Sequence, residues 1–111
     1  MLPLKPIEFL GSSRRALTGF PDDARRMAGF QLDRIQRGLE PYDWKYMPAV
    51  GAGVMELRVR DGSGEFRVVY VAKFSDAVHV LHAFHKKARK TPQLDLELAR
   101  ARYGELMRLR Q

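Results

Sequence analysis

One stretch, residues 54–92, narrows the folds open to this chain. It reads VMELRVRDGSGEFRVVYVAKFSDAVHVLHAFHKKARKTP. Runs rich in Val, Phe and Tyr are broken by Asp61-Gly62-Ser63-Gly64 and by Ser75-Asp76, which is the pattern of consecutive hairpins. Three antiparallel strands are predicted, over residues 54–60, 65–74 and 77–84. Side chains alternate faces along a strand. Met55, Leu57 and Val59 therefore point one way, and Glu56, Arg58 and Arg60 the other. One face of this meander is made to be covered, and the other carries charge.

The remaining elements supply the cover. Residues 6–10 (PIEFL) read as a first strand bounded by Gly11-Ser12-Ser13. Ser12 or Ser13 is suited to cap a short helix over residues 14–18. Phe20-Pro21-Asp22-Asp23 opens a second helix, with a proline and acidic side chains at its positive end. Its apolar stripe is Ala24, Ala28, Leu32, Ile35 and Leu39, with Gly38 as the stop. Arg25, Arg26, Arg34 and Arg37 lie mostly off that stripe and read as a solvated face. Residues 44–47 suit a short strand before Pro48, with Trp44 as a core or edge anchor. Thr91 and Pro92 begin a last helix, whose apolar positions are Leu96, Ala99, Tyr103 and Leu106. Arg100, Arg102, Arg108 and Arg110 read as its exposed side. The order β-α-α-β-β-β-β-α gives a single α+β domain, a mainly antiparallel sheet with helices on one face and the other partly open.

At 111 residues, 45% of them hydrophobic, the chain has material for one folded core. It has no cysteine, which excludes disulfides and zinc–thiolate sites. The three histidines lack ligand spacing, so no metal or cofactor is expected. Residues 1–15 show no charged start followed by an apolar run of about 7–15 residues, and no segment reaches about 18 apolar residues. A cytoplasmic protein without membrane attachment is expected. The net charge of +7 is focused: residues 45–90 carry 9 Lys/Arg against 4 Asp/Glu, while the flanking segments are near balance. A basic zone of this kind suits a polyanionic partner such as nucleic acid, bound directly or on a ribosome.

The charged side chains of the meander suit cleavage of RNA without a metal. A ribose 2′-hydroxyl must lose a proton as it attacks phosphate, the leaving 5′-oxygen must gain one, and the phosphorane needs fixed positive charge. Arginine forks meet phosphate oxygens in paired hydrogen bonds. Arg58 and Arg67 are candidates for holding phosphate, Glu56 or a lysine for taking the proton, and His82 or His85 for giving one. An ion pair of purely structural purpose is the competing reading of Glu56 and Arg58. Straight alternation places His82 with Val78, Val80 and Phe84, and His79 on the opposite face, where packing is its expected role. Lys45, Arg60, Lys73, Lys86, Lys87, Arg89 and Lys90 are candidates for contacting RNA or ribosome. The glycines at 51 and 53 form no phosphate-binding loop motif.

The ordered series DWKYMPAVGAGVMELR, ELRVRD, GEFRVVYVAKF and AVHVLHAFHKKARKTP resembles the RelE/ParE superfamily of type II toxins, closest to its phage-derived HigB-like branch. The resemblance runs from Pro6 to Leu106. It implies a RelE-like fold and a toxin that inhibits translation by cutting mRNA on the ribosome. It also implies a cognate antitoxin, usually of helix-turn-helix type, with operator DNA bound only through the complex. Position by position, it implies a catalytic role for Arg67, a basic role for Arg58, a basic pair at Lys86 and Lys87, and at Glu56 a position where some relatives place a carboxylate base and others a lysine. Some relatives carry a tyrosine or histidine after the basic run, where Thr91-Pro92 stands here, so the resemblance supplies no general acid. ParE-type relatives instead poison DNA gyrase by binding, and an inactive binding module is a third reading.

Overall fold

A computed structural model describes residues 4–111. Residues 1–3, where the segment read for a leader begins, lie outside the described residues. In chain order the elements are β1 Ile7–Phe9, α1 Ser13–Thr18, α2 Asp22–Gln36, β2 Trp44–Tyr46, β3 Val54–Asp61, β4 Gly64–Val71, β5 Val78–Lys86 and α3 Gln93–Leu109. The α+β class and the order of elements are as expected from the sequence. The five strands lie in the order β1-β5-β4-β3-β2. The hairpins make β3, β4 and β5 antiparallel neighbours, β2 pairs antiparallel with β3, and β1 pairs parallel with β5.

Two apolar clusters sandwich the sheet. Leu17 and Phe20 pack with Ala24, Ala28, Leu32 and Ile35 of α2 onto Leu57, Val59, Phe66, Val68, Tyr70, Val78 and Val80. Small alanines at two of the inward α2 positions let the helix approach the sheet closely. On the other face, Ala99 and Leu106 of α3 pack with Met47, Val50, Val54, Val69, Val71, Leu81 and Phe84. That second cluster occupies only part of its face. The end formed by Glu56, Arg58, Arg60, Glu65 and Arg67 is left without a helix over it.

The helix ends differ in detail from their sequence signals. Pro21 and Pro92 take the N-cap positions of α2 and α3, and neither helix has a side-chain cap. Ser12 takes the N-cap of α1 without a capping hydrogen bond. Ser13 instead donates its hydroxyl to the Val80 carbonyl (3.1 Å), joining α1 to β5. α2 ends before Gly38, whose φ of 81° turns the chain away. Leu39 is thereby carried off the stripe and left 50% exposed. β4 stops at Val71 rather than at Phe74, and the chain beyond is held by Lys5, whose ammonium donates to the Ala72 and Phe74 carbonyls (2.8 and 2.9 Å).

A bulge in β5 changes what its alternation means. Val69 pairs with His82 while Tyr70 pairs with Val80, leaving Leu81 as an extra residue. Such an insertion puts two successive side chains on one side and reverses the alternation beyond it. His82 therefore lies on the α3 side together with His79, not with Val78 and Val80. Straight alternation had separated the two histidines.

Of the four α3 arginines, Arg100, Arg108 and Arg110 are exposed as expected, but three of the four also tie the helix down. Arg100 donates to the Ala49 carbonyl (2.7 Å), and Arg102 to the Leu81 carbonyl (2.8 Å). Arg110 makes a two-pronged bond to Asp76 (3.0 and 3.1 Å) and lies over the Phe74 ring.

His79 gives the fold an acid-sensitive point. It is 2% exposed, edge-on to Phe74, with Glu8 3.7 Å from Nδ1. Burial lowers its pKa below 6.5, and Glu8 and Asp76 offset this only in part. As pH falls through about 6.5 the unfolded chain takes up a proton that the folded chain refuses, so stability declines from there down to the folded pKa. Thermal midpoints measured from neutral pH downward should fall more steeply for the wild type than for His79→Gln. Equal slopes would remove His79 as the cause.

Candidate functional site

Three rows of paired residues cross the uncovered end of the sheet. Lys45, Glu56, Val69 and His82 form the first row. Arg58, Arg67 and Phe84 form the second, and Arg60, Glu65 and Lys86 the third. Neighbouring strands are about 4.8 Å apart, so the charged members of the three rows share one patch.

Glu56 lies at its centre with no exposure. Its Oε1 is 3.3 Å from Nε of Arg67, 3.8 Å from Nε of Arg58 and 3.9 Å from Nζ of Lys45. Among the described residues, neither carboxylate oxygen and neither of these Nε atoms makes a hydrogen bond of good geometry. One enclosed carboxylate thus holds three cations by charge and not by directed bonds.

Arg67 is 3% exposed. Its Nη1 donates to the Phe66 carbonyl (3.2 Å), and Nη2 lies 3.5 Å from Oε1 of Glu65. Arg60 donates to the same Glu65 oxygen at 2.8 Å. That bond, with the charge of Arg67, holds the Glu65 carboxyl below the usual range. Asp43, Arg58, Val59, Arg60, Glu65 and Arg67 line a polar cavity of about 100 Å³, a size that suits a phosphate group better than a nucleobase.

Lys86 closes the third row across from Glu65. Its pKa is lowered, first by partial burial and then by the charges of Arg67, Lys45 and Arg58, with Glu56 acting in the opposite direction. Lys87, Arg89 and Lys90 follow on the exposed segment after β5.

Other candidates are engaged or turned away. His82 has both ring nitrogens engaged: Nε2 is 2.6 Å from Asp95 Oδ1 and Nδ1 is 3.2 Å from Nη1 of Arg102. Arginine only donates, so Nδ1 accepts and Nε2 carries the proton that bonds to Asp95. Arg102 also donates to Ser12 Oγ (3.0 Å), so this network ties α3, β5 and α1 together. His85, past the bulge, points to the opposite face and stacks on Phe66, with ring centroids 4.5 Å apart. Lys73 follows the end of β4 and donates to the Ala52 carbonyl (3.0 Å) and Tyr103 hydroxyl (3.4 Å), far along the sheet from Arg67.

The register therefore gathers Lys45, Glu56, Arg58, Arg60, Arg67 and Lys86, and adds Glu65 and Asp43, which sequence reasoning passed over. Glu65 was legible, because it stands two residues before Arg67 on the same strand. Asp95 and Arg102 carried no signal, since only tertiary packing brings α3 against His82.

Residues 15–104 match the family described as Phage derived protein Gp49-like. The chain belongs to that family. No curated protein matches it significantly. The Gp49-like family is one of RelE/HigB-like toxins, in keeping with the superfamily that the strand motifs resemble. The matched span of this Gp49-like protein contains every residue of the three rows. Among its described residues no helix is long and apolar enough to cross a membrane.

Proposed function

We propose that this Gp49-like protein is the toxin of a type II toxin–antitoxin pair and an endoribonuclease that cuts translated mRNA on the ribosome. The observation that carries the reading is the cation cluster around Glu56, with a small polar cavity walled by Arg58, Arg60 and Arg67. The scissile phosphate sits against these guanidinium groups, which stabilise the charge that builds on its oxygens as the 2′-hydroxyl attacks. Lys86 and Lys45 lie on β5 and β2, on opposite sides of the two arginine-bearing strands. Displacement at phosphorus is in line, so attacking and leaving oxygens lie at opposite ends. Lys86 gives its proton to the leaving 5′-oxygen, while the 2′-hydroxyl attacks from the Lys45 side and loses its proton to water there. Glu56 is enclosed and holds the arginines in place without touching substrate. Lys87, Arg89 and Lys90 bind backbone phosphates of mRNA or ribosomal RNA. The protein acts in the cytoplasm and is silenced by an antitoxin, through which the complex reaches operator DNA.

The test is to map mRNA 5′ ends in cells after brief induction, wild type beside Arg67→Lys. New ends inside translated frames, absent in the variant, are expected. Growth arrest without new ends would favour gyrase binding over cleavage.

Lys86 makes the reading sensitive to pH. With its pKa lowered, the acid form is lost below the ordinary lysine value of about 10.4. Cleavage measured in vitro should therefore decline on the alkaline side before that pH, and Lys86→Arg should lose this limb along with most of the rate. An unchanged alkaline limb in the variant would exclude Lys86 as the proton donor.

A further inference from the structure

The outward side of α2 carries a knob, a hole and an alternating row of charges. Phe30 is 54% exposed. Beside it Gly29 sits mid-helix, and a Cβ built there meets nothing within 4 Å. Glycine in a helix interior costs about 1 kcal/mol relative to alanine, and no packing among the described residues calls for it. Along the same side run Asp22, Arg26, Asp33 and Arg37, with side chains 72%, 68%, 44% and 56% exposed. Each is engaged only by a neighbour on its own helix or just past its end: Asp22 by Arg25, Arg26 by Asp23, and Asp33 and Arg37 by each other. Exposed pairs of this kind contribute about 0–1 kcal/mol, so they exchange partners readily.

We infer that two copies of the chain associate through antiparallel α2 helices, about a two-fold axis passing between residues 29 and 30. In a two-fold contact residue i meets j and j meets i. With the axis at that point, Phe30 of each copy falls on Gly29 of the other. The same operation sets Arg26 opposite Asp33 and Asp22 opposite Arg37, four contacts of opposite sign, against the like pair Arg25 and Arg34 at the edge of the strip, where Arg34 is turned to the Glu40 carbonyl and the Tyr42 ring. A shift of half a residue, placing the axis on Phe30, sets Arg26 against Arg34 instead. That register keeps only the opposite pair Asp23 and Arg37, so the balance of charge favours the one in which the knob meets the hole. A groove of about 360 Å³ lined by Arg26, Met27, Phe30, Gln31 and Tyr42 borders the crossing and adds apolar surface to it. α2 covers the sheet face opposite to Glu56 and Arg67, so both copies keep the charged patch open. The inference stands apart from the reading of that patch as a nuclease site.

The test is sedimentation and light scattering on the full-length protein over a hundredfold range of concentration. A monomer–dimer equilibrium is expected. Gly29→Leu fills the hole while improving helix propensity, and should weaken association at least about tenfold with no loss in thermal midpoint. Asp33→Arg should weaken it as well, and adding Arg26→Asp should restore it, because the reversed pair has the same complementarity. A wild type that stays monomeric throughout overturns the inference. So does Gly29→Leu with undiminished dimer, or a double charge variant no tighter than the single one. A monomeric wild type whose binding to its purified antitoxin is abolished by Gly29→Leu would assign this helix face to the antitoxin instead.

Discussion

Cleavage of mRNA on programmed ribosomes is expected to fall by about 10²–10³-fold when Arg67 is replaced by lysine, the range seen when one donor to a developing oxyanion is removed. Lysine keeps the charge next to Glu56 and fits the space, so folding should survive. It lacks the planar fork, so the several donors that a guanidinium presents in one plane become one mobile ammonium. The check is single-turnover cleavage of a defined message, with circular dichroism and antitoxin binding as controls. A folded Arg67→Lys protein that cleaves at the wild-type rate would remove Arg67 from phosphate stabilisation. It would leave the cluster with a structural meaning only.

The second large effect concerns stability. Glu56→Ala should destabilise the protein by about 3–5 kcal/mol, since removing one partner of a buried ion pair strands the other charge. Here Arg67 is enclosed beside it, with Arg58 and Lys45 crowding the same space. At about 4 °C per kcal/mol for a domain near this size, the thermal midpoint should drop by more than about 10 °C. The pair Glu56→Leu with Arg67→Met should recover most of that loss while remaining inactive, because a well-packed apolar pair replaces a buried ionic one at little cost. Denaturant titration of the three variants separates the outcomes. If Glu56→Ala were as stable as the wild type and merely slow, Glu56 would act on substrate, and its assignment as an enclosed counter-ion would be wrong.

Much of the fold was legible because its signals are local. Alternation in residues 54–60 places Leu57 and Val59 under α2 and Glu56 and Arg58 on the bare face, as observed. The spacing of Ala24, Ala28, Leu32 and Ile35 identifies the buried side of α2. The site was legible on β3 and β4, where pairing is regular and Arg58 stands opposite Arg67. It was not legible on β5. An extra residue inside a strand leaves no mark in hydrophobic periodicity, so His85 was expected with the charged residues and lies behind them. The engagement of His82 was not legible for another reason, since its partners Asp95 and Arg102 stand on a helix that follows in the chain. The charges of α3 look solvated in one dimension because their acceptors, backbone carbonyls at Ala49 and Leu81, have no identity in a sequence.

The added residue at Leu81 acts as a frame setting for the end of β5. With it, His82, Phe84 and Lys86 belong to the side that faces Arg67. Paired straight through at the same length, the strand would instead present Ala83, His85 and Lys87 there. A histidine and a different lysine would then stand beside Arg67 with no charged residue mutated. Deleting Leu81 would not cause that change, because His82 would still pair with Val69 and Lys86 with Glu65. The acid–base character offered by this strand thus depends on where its ladder leaves a residue unpaired as well as on side-chain identity.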